Sequence, residues 1–256
     1  MFRLKVFITG ASSGLGAALA AHYAASGASL GLVARRGDSL GKLAGRLNVP
    51  CAIYTADVGD TAEMARIAHD YCSNHGAPDI VIANAGVSSG TLGGDPEDLA
   101  VLERILRTNV LGLAATLAPF AAPMRERGSG TLAGIASVAG IRGLPGSGAY
   151  CASKSAAITW LESLRLELAG SGVRVATVCP GYVNTPMTSV NRFPMPFMIG
   201  ADDAARRIAR AIDRGARYTV VPWQMRIVAA VLGLAPAWAY DRAFARAPRK
   251  PRKLPL

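Results

Sequence analysis

A serine, a tyrosine thirteen positions on and a lysine four beyond that stand in the stretch Ser137–Lys154, SVAGIRGLPGSGAYCASK. On one helix, a spacing of four places the side chains of Tyr150 and Lys154 on the same face, one turn apart. An ammonium there favours the phenolate and pulls down a phenol that ordinarily titrates near ~10. A tyrosine so tuned exchanges a proton with the oxygen of a carbonyl or an alcohol. The Ser137 hydroxyl, arriving from another element, would hold that same oxygen. Tyr-x-x-x-Lys alone is a cheap pattern that many helices carry by chance, so its meaning rests on what surrounds it.

The surroundings alternate. Leu4 to Thr9 is a short β-rich run that ends in TGASSGLG, and Ala17 to Ser26 then reads as a helix. Strand, glycine turn and helix form the context in which glycines serve a dinucleotide. Gly10, Gly14 and Gly16 permit the tight turn, the approach of backbone to a pyrophosphate and close packing of helix on strand. The helix beyond offers free N–H groups and a positive dipole end. A merely flexible loop is the alternative. A second strand, Ser29 to Ala34, runs into Arg35 and Arg36. An acid at the end of this strand would bind a ribose 2′-hydroxyl, and a basic residue a 2′-phosphate. With Ala34 and two arginines there, NADP is favoured over NAD, unless the pair is simply solvated.

Further strands are expected at Cys51 to Thr55, Asp79 to Ala83, Thr131 to Ala136, Val173 to Cys179 and Tyr218 to Val221. Helices are expected at Thr61 to Asn74, Pro96 to Arg127, Ala149 to Ala169 and Asp202 to Arg214. Near-continuously apolar strands alternating with helices predict a doubly wound parallel sheet, an α/β fold of Rossmann type covered on both faces. The residues of interest fall at strand carboxyl ends or helix starts, the edge at which such sheets bind ligands.

With Thr9-Gly10-x-x-x-Gly14-x-Gly16, Asn84-Ala85-Gly86, Asn109, Ser137, Tyr150-x-x-x-Lys154 and Pro180-Gly181 all in order, residues 3–221 resemble the short-chain dehydrogenase/reductase family. The resemblance implies seven parallel strands and hydride transfer between a nicotinamide and a carbonyl/alcohol pair. Tyr150 would be the general acid/base, Lys154 would tune it and hydrogen-bond the nicotinamide ribose, Ser137 would position the substrate oxygen, and Asn109 would hold a water in the proton relay. Gly10, Ser12, Ser13, Gly14, Leu15 and Gly16 would form the pyrophosphate turn. Asp57 and Val58 would flank the adenine, with Asn84, Ala85 and Gly86 on the adenosine side. Pro180, Gly181, Val183 and Thr185 would hold the carboxamide and phosphate end. Two departures stand out. Ser13 occupies a position that is basic in many NADP-preferring members, leaving the 2′-phosphate to Arg35 with Arg36 and keeping NAD as an alternative cofactor. Ala83 replaces the first of a frequent Asn-Asn pair.

The catalytic domain is read as residues 1–221, including a substrate loop at 185–200 that is rich in Met, Phe and Pro. Such a loop presents an adaptable apolar surface to a hydrophobic substrate, or else packs on the sheet. Residues 222–256 form an extension, apolar and then basic.

From Ala201 onward the chain has 12 basic and 4 acidic residues, so most of its net charge of +11 belongs to this end. No reading element accompanies that charge, and a nucleic-acid partner is not expected. Arg226 and Pro236 interrupt the apolar run and argue against a spanning helix. Trp223, Trp238 and Tyr240, followed by Arg242, Arg246, Arg249, Lys250, Arg252 and Lys253, read as an interfacial segment at a membrane surface. The alternative is burial in a homodimer or under the substrate loop, with a solvated tail.

Cys51, Cys72, Cys151 and Cys179 form no Cys-x-x-Cys pair, and His22, His69 and His75 lack ligand spacing, so no metal site is read. Reduced thiols suit a cytoplasmic protein, with the inner face of the membrane its other station. A small hydrophobic substrate and a homodimer or homotetramer complete the expectation. The rivals are a nucleotide-sugar epimerase or dehydratase and a non-catalytic NADP-binding protein recruited to membranes.

Overall fold

Residue-by-residue alternation sends each inner strand's side chains to two opposite faces, and each face here finds its own helices. The computed structural model describes residues 3–254. The first half runs β1 (Lys5–Thr9), α1 (Gly14–Ala25), β2 (Ser29–Ala34), α2 (Gly37–Ala44), β3 (Cys51–Thr55), α3 (Thr61–His75) and β4 (Ile80–Ala83). It continues through α4 (Leu99–Leu106), α5 (Gly112–Arg127), β5 (Gly130–Ile135), α6 (Gly148–Glu167) and β6 (Val173–Pro180). Then follow β7 (Val183–Asn184), α7 (Pro186–Ser189), β8 (Ile199–Gly200), α8 (Ala201–Asp213), β9 (Tyr218–Val221), α9 (Gln224–Leu234) and α10 (Ala237–Phe244).

Seven strands pair in parallel in the order β3-β2-β1-β4-β5-β6-β9, with Ile8 opposite Leu32 and Ile82 opposite Ala133. This is the doubly wound sheet expected, and the order reverses between β1 and β4. On one face Ile8, Leu32, Ile82 and Val178 pack with Leu19 and Tyr23 of α1 and Ile208 and Ile212 of α8. On the other, Phe7, Val81 and Leu132 meet Tyr71 of α3, Phe120 and Met124 of α5 and Leu161 of α6. Each fully buried side chain of this size contributes about 1.5–3 kcal/mol.

The expected single helix over Pro96 to Arg127 is instead a 3₁₀ turn, α4, a π-helical turn at Arg107–Leu111 and α5. By length and composition this stretch could cross a membrane, but Leu117, Phe120 and Met124 are in the core with no exposure. Helices α2 and α7 and the small parallel pair β7–β8 that frames the substrate loop were not among the expected elements. In the extension, α9 and α10 meet at 119° instead of forming one helix, because Pro236 breaks the ladder between them.

Candidate active site

The cleft opens along the carboxyl edge of the sheet at the point where strand order reverses, with a free volume of about 360 Å³. One end is the glycine turn. Gly10 and Gly14 adopt φ of +68° and +55°, conformations costly for any residue with a Cβ. Gly16 is fixed by space: a Cβ would stand 2.3 Å from the Gly10 carbonyl oxygen and 2.6 Å from Asn84 Nδ2. Asn84 closes the turn from β4, with Nδ2 donating to the Thr9 carbonyl at 3.0 Å, while Thr9 Oγ1 accepts from the Asn84 and Ala85 amides. The turn is thus backbone pressed against backbone, with N–H groups at the start of α1 facing the cleft. It fits a pyrophosphate, and side chains do not fill it.

At the end of β2 the two arginines divide. Arg36 donates to Ser12 Oγ at 3.2 Å and to Ser13 Oγ at 2.9 Å. Arg35 instead faces Asp57 at 3.9 Å, an ion pair half exposed on both sides and of little energetic weight. Both arginines line the cleft, Arg36 held against the serines of the turn and Arg35 turned towards Asp57. Ser13, where a basic residue was missing from the motif, is part of that arrangement.

Tyr150 and Lys154 lie on the first turns of α6, with Lys154 Nζ 5.8 Å from the centre of the phenol ring. Ser137 follows β5; its Oγ caps the next turn by accepting from the Ala139 amide at 3.1 Å. Lys154 is 4 % exposed and donates from Nζ to the Ile135 carbonyl at 2.8 Å. Burial pushes its ammonium down to about 8. Tyr150 departs from the expected direction. Burial raises its phenol to about 12, and the hydrogen bond with Ser137 only partly offsets this. Desolvation dominates, and the Lys154 ammonium is turned to the Ile135 carbonyl and not to the phenol oxygen.

Ser137, Tyr150 and Lys154 line the cleft, as do Gly10, Ser12, Ser13, Gly14, Leu15, Gly16, Arg35, Arg36, Asp57, Val58, Asn84, Ala85, Gly86, Pro180, Gly181, Val183 and Thr185. Asn109 does not. It is fully buried behind the wall, where Oδ1 accepts from the Val87 amide at 2.8 Å and Nδ2 donates to the Val87 carbonyl at 3.0 Å and Ser153 Oγ at 2.9 Å. The π turn carrying Asn109 aims it between β4 and α6. The site residues read from the sequence did not include Val87, Thr108 and Ile135, which line the cleft, while Met187 does so from the expected substrate loop. Of the three, only Ile135, the last residue of β5, was signalled by a strand end.

The family model described as short chain dehydrogenase matches residues 5–194. An uncharacterized oxidoreductase of Myxococcus xanthus is 38% identical over 245 residues, 93% of this chain and 95% of that protein. A short-chain dehydrogenase from Sphingobium yanoikuyae in complex with NADPH superposes with a TM-score of 0.77 at 29% identity, covering 94% of this chain and 92% of that one. A short chain dehydrogenase from Mycobacterium paratuberculosis bound to NAD gives 0.74 at 26%, covering 85% and 96%. With the cleft and turn in place, these likenesses show a nicotinamide-dependent oxidoreductase, and the chain belongs to the short-chain dehydrogenase/reductase family.

Proposed function

We propose that this enzyme interconverts a ketone and a secondary alcohol of a hydrophobic, lipid-like substrate with NADP(H), Tyr150 serving as the proton donor and acceptor. The observation that carries the reading is the convergence of Ser137, Tyr150 and Lys154 on one cleft with the glycine turn at its other end. When bound, NADPH supplies the hydride. Tyr150 gives its phenolic proton to the substrate oxygen, which Ser137 holds by hydrogen bond. Lys154 stabilises the phenolate left behind and holds a ribose hydroxyl. A phenol kept protonated near neutral pH by burial suits the reductive direction. Asn109 acts as a positioning residue, fixing Ser153 between Tyr150 and Lys154 and holding the Val87 wall.

Preference for NADP over NAD is supported by Arg36 with Ser12 and Ser13. The hydrophobic substrate is supported by the substrate loop, whose Met187, Phe197 and Met198 are exposed. We take residues 1–221 as the catalytic domain and 222–256 as an extension with an apolar docking face. A cytoplasmic station at a membrane surface, and assembly as a homo-oligomer, belong to the same proposal. The face in question is the exposed row of Trp223, Ile227, Val231, Leu234 and Trp238.

The test is NADPH oxidation with a panel of acyl, steroid-like and sugar ketones. Tyr150→Phe should lower turnover by roughly 10²–10⁴-fold while leaving NADPH affinity unchanged. Equal turnover by the variant would refute the assignment. A panel with no ketone turned over would favour a cofactor-binding protein without this chemistry.

A further inference from the structure

Part of the basic end of the chain is packed against the protein: Lys250 is buried and Arg252 is ion-paired. Residues 249–254 touch three loops, and two of these carry residues that line the cleft, Val87 and Met187. On the loop after β4, the Gly90 amide donates to the Pro251 carbonyl at 2.9 Å, and the Leu254 amide donates to Ser89 Oγ at 3.2 Å. Arg252 pairs with Asp95, and its Nε lies 3.0 Å from Asp98 Oδ2. Gly90 has no room for a side chain, because a Cβ would stand 2.2 Å from the Lys250 carbonyl oxygen. On the loop before α6, Gly146 at φ +73° makes way for Arg249, whose Cβ would lie 2.6 Å from an added Cβ. The third loop is the cover itself. Lys250 Nζ donates to the Met187 carbonyl at 3.3 Å and to Ser88 Oγ at 3.0 Å.

Lys250 is only 8 % exposed, and burial pushes its ammonium down to about 8. Neither of its two acceptors is a carboxylate. A desolvated cation satisfied by a hydroxyl and a carbonyl is costly, and an apolar residue would pack there at less expense. Its two acceptors explain its place. Met187 lines the cleft from the cover, and Ser88 follows Val87, which lines it from the opposite wall. One ammonium therefore joins both sides of the mouth.

We propose that segment 249–254 is a fixed part of the substrate site, and that Lys250 is the positioning residue that ties the cover at Met187 to the wall at Ser88 and so sets the width of the substrate mouth. The inference rests on the reading that this end of the cleft receives the substrate.

The test compares full-length wild type with Lys250→Met, Lys250→Arg and Ser88→Ala by hydrogen–deuterium exchange, NADPH titration and kinetics on the best ketone of the panel. In Lys250→Met, exchange at residues 186–189 and 88–92 should rise while the glycine turn stays protected and NADPH affinity holds. KM should rise about tenfold with kcat little changed, as expected when positioning of the ground state is lost. Lys250→Arg should restore part of the protection, and Ser88→Ala, which keeps the charge but removes one of its two acceptors, should give a smaller shift in the same direction. Unchanged exchange at 186–189, or raised exchange with unchanged KM, would overturn the proposal. Exchange is read without substrate, so if no ketone is turned over the functional reading fails while the clasp is still decided.

Discussion

The two ends of the cleft are held by different means. At the cofactor end, Gly10, Gly16, Thr9 and Asn84 bring backbone against backbone, and a single methyl group at Gly16 would collide at 2.3 Å. At the substrate end, long side chains from distant segments do the holding. Lys250 bridges Ser88 and Met187, and Arg252 pairs with Asp95 and Asp98. Backbone contacts fix one ligand shape. Side-chain contacts allow the other end to differ in what it admits while the cofactor stays where it is.

Gly16→Ala breaks the first end most directly. Forcing the carbonyl of Gly10 and the Asn84 amide apart costs about 1–3 kcal/mol, which should weaken cofactor affinity about 10–100-fold. A fluorescence titration with NADPH checks this, with circular dichroism to show that the sheet persists. Affinity within twofold of wild type would mean that the turn does not cradle the cofactor.

The pH profile probes where the two ends meet. Lys154 carries its charge below a value of about 8 and loses it as pH rises through that value, well before an ordinary lysine would. Tyr150 stays protonated to about 12, so it contributes no limb below that. Ketone reduction should therefore fall roughly tenfold per pH unit above the Lys154 value, measured as kcat/KM for the ketone. A falling limb near 10 would place Lys154 in a far wetter setting than it occupies.

Arg36→Leu sharpens the cofactor end. Loss of one charge-assisted contact to phosphate, worth about 1.5–3 kcal/mol, should weaken NADPH about tenfold or more and leave NADH unchanged. Arg35→Leu should do less, since Arg35 is turned towards Asp57 at 3.9 Å. An equal effect of both would return the 2′-phosphate to Arg35.

Legibility followed the same division. The seven strands, their order along the chain and most of the residues that line the cleft could be read, because glycine turns and apolar runs are local in sequence. The burial of Asn109 could not, because a π turn at Arg107–Leu111 leaves no mark in the periodicity. The sign of the Tyr150 shift was missed because spacing shows a neighbouring charge but not desolvation. The fate of Lys250 and Arg252 was hidden for a plainer reason: their partners, Ser88 and the pair Asp95 and Asp98, lie about 150 residues or more away.

That fate also changes what a membrane could hold. Of the six basic residues in the tail, Lys250 is buried and Arg252 is ion-paired, so their charge is spent inside the protein. Remaining basic side chains at a lipid surface contribute about 1 kcal/mol each and are screened by salt. Leu234, by contrast, is 85% exposed and Trp238 74%, on a row with Ile227 and Val231, and burying each apolar side chain is worth about 1.5–3 kcal/mol. Leu234→Asp should therefore abolish sedimentation with anionic vesicles more completely than Arg246→Ala, with cofactor affinity and kcat unchanged in both. If Arg246→Ala has the larger effect, contact is electrostatic. If Leu234→Asp alters self-association and no vesicle is bound, the row is a contact between copies, and the substrate end would owe its apolar surroundings to a second chain and not to lipid.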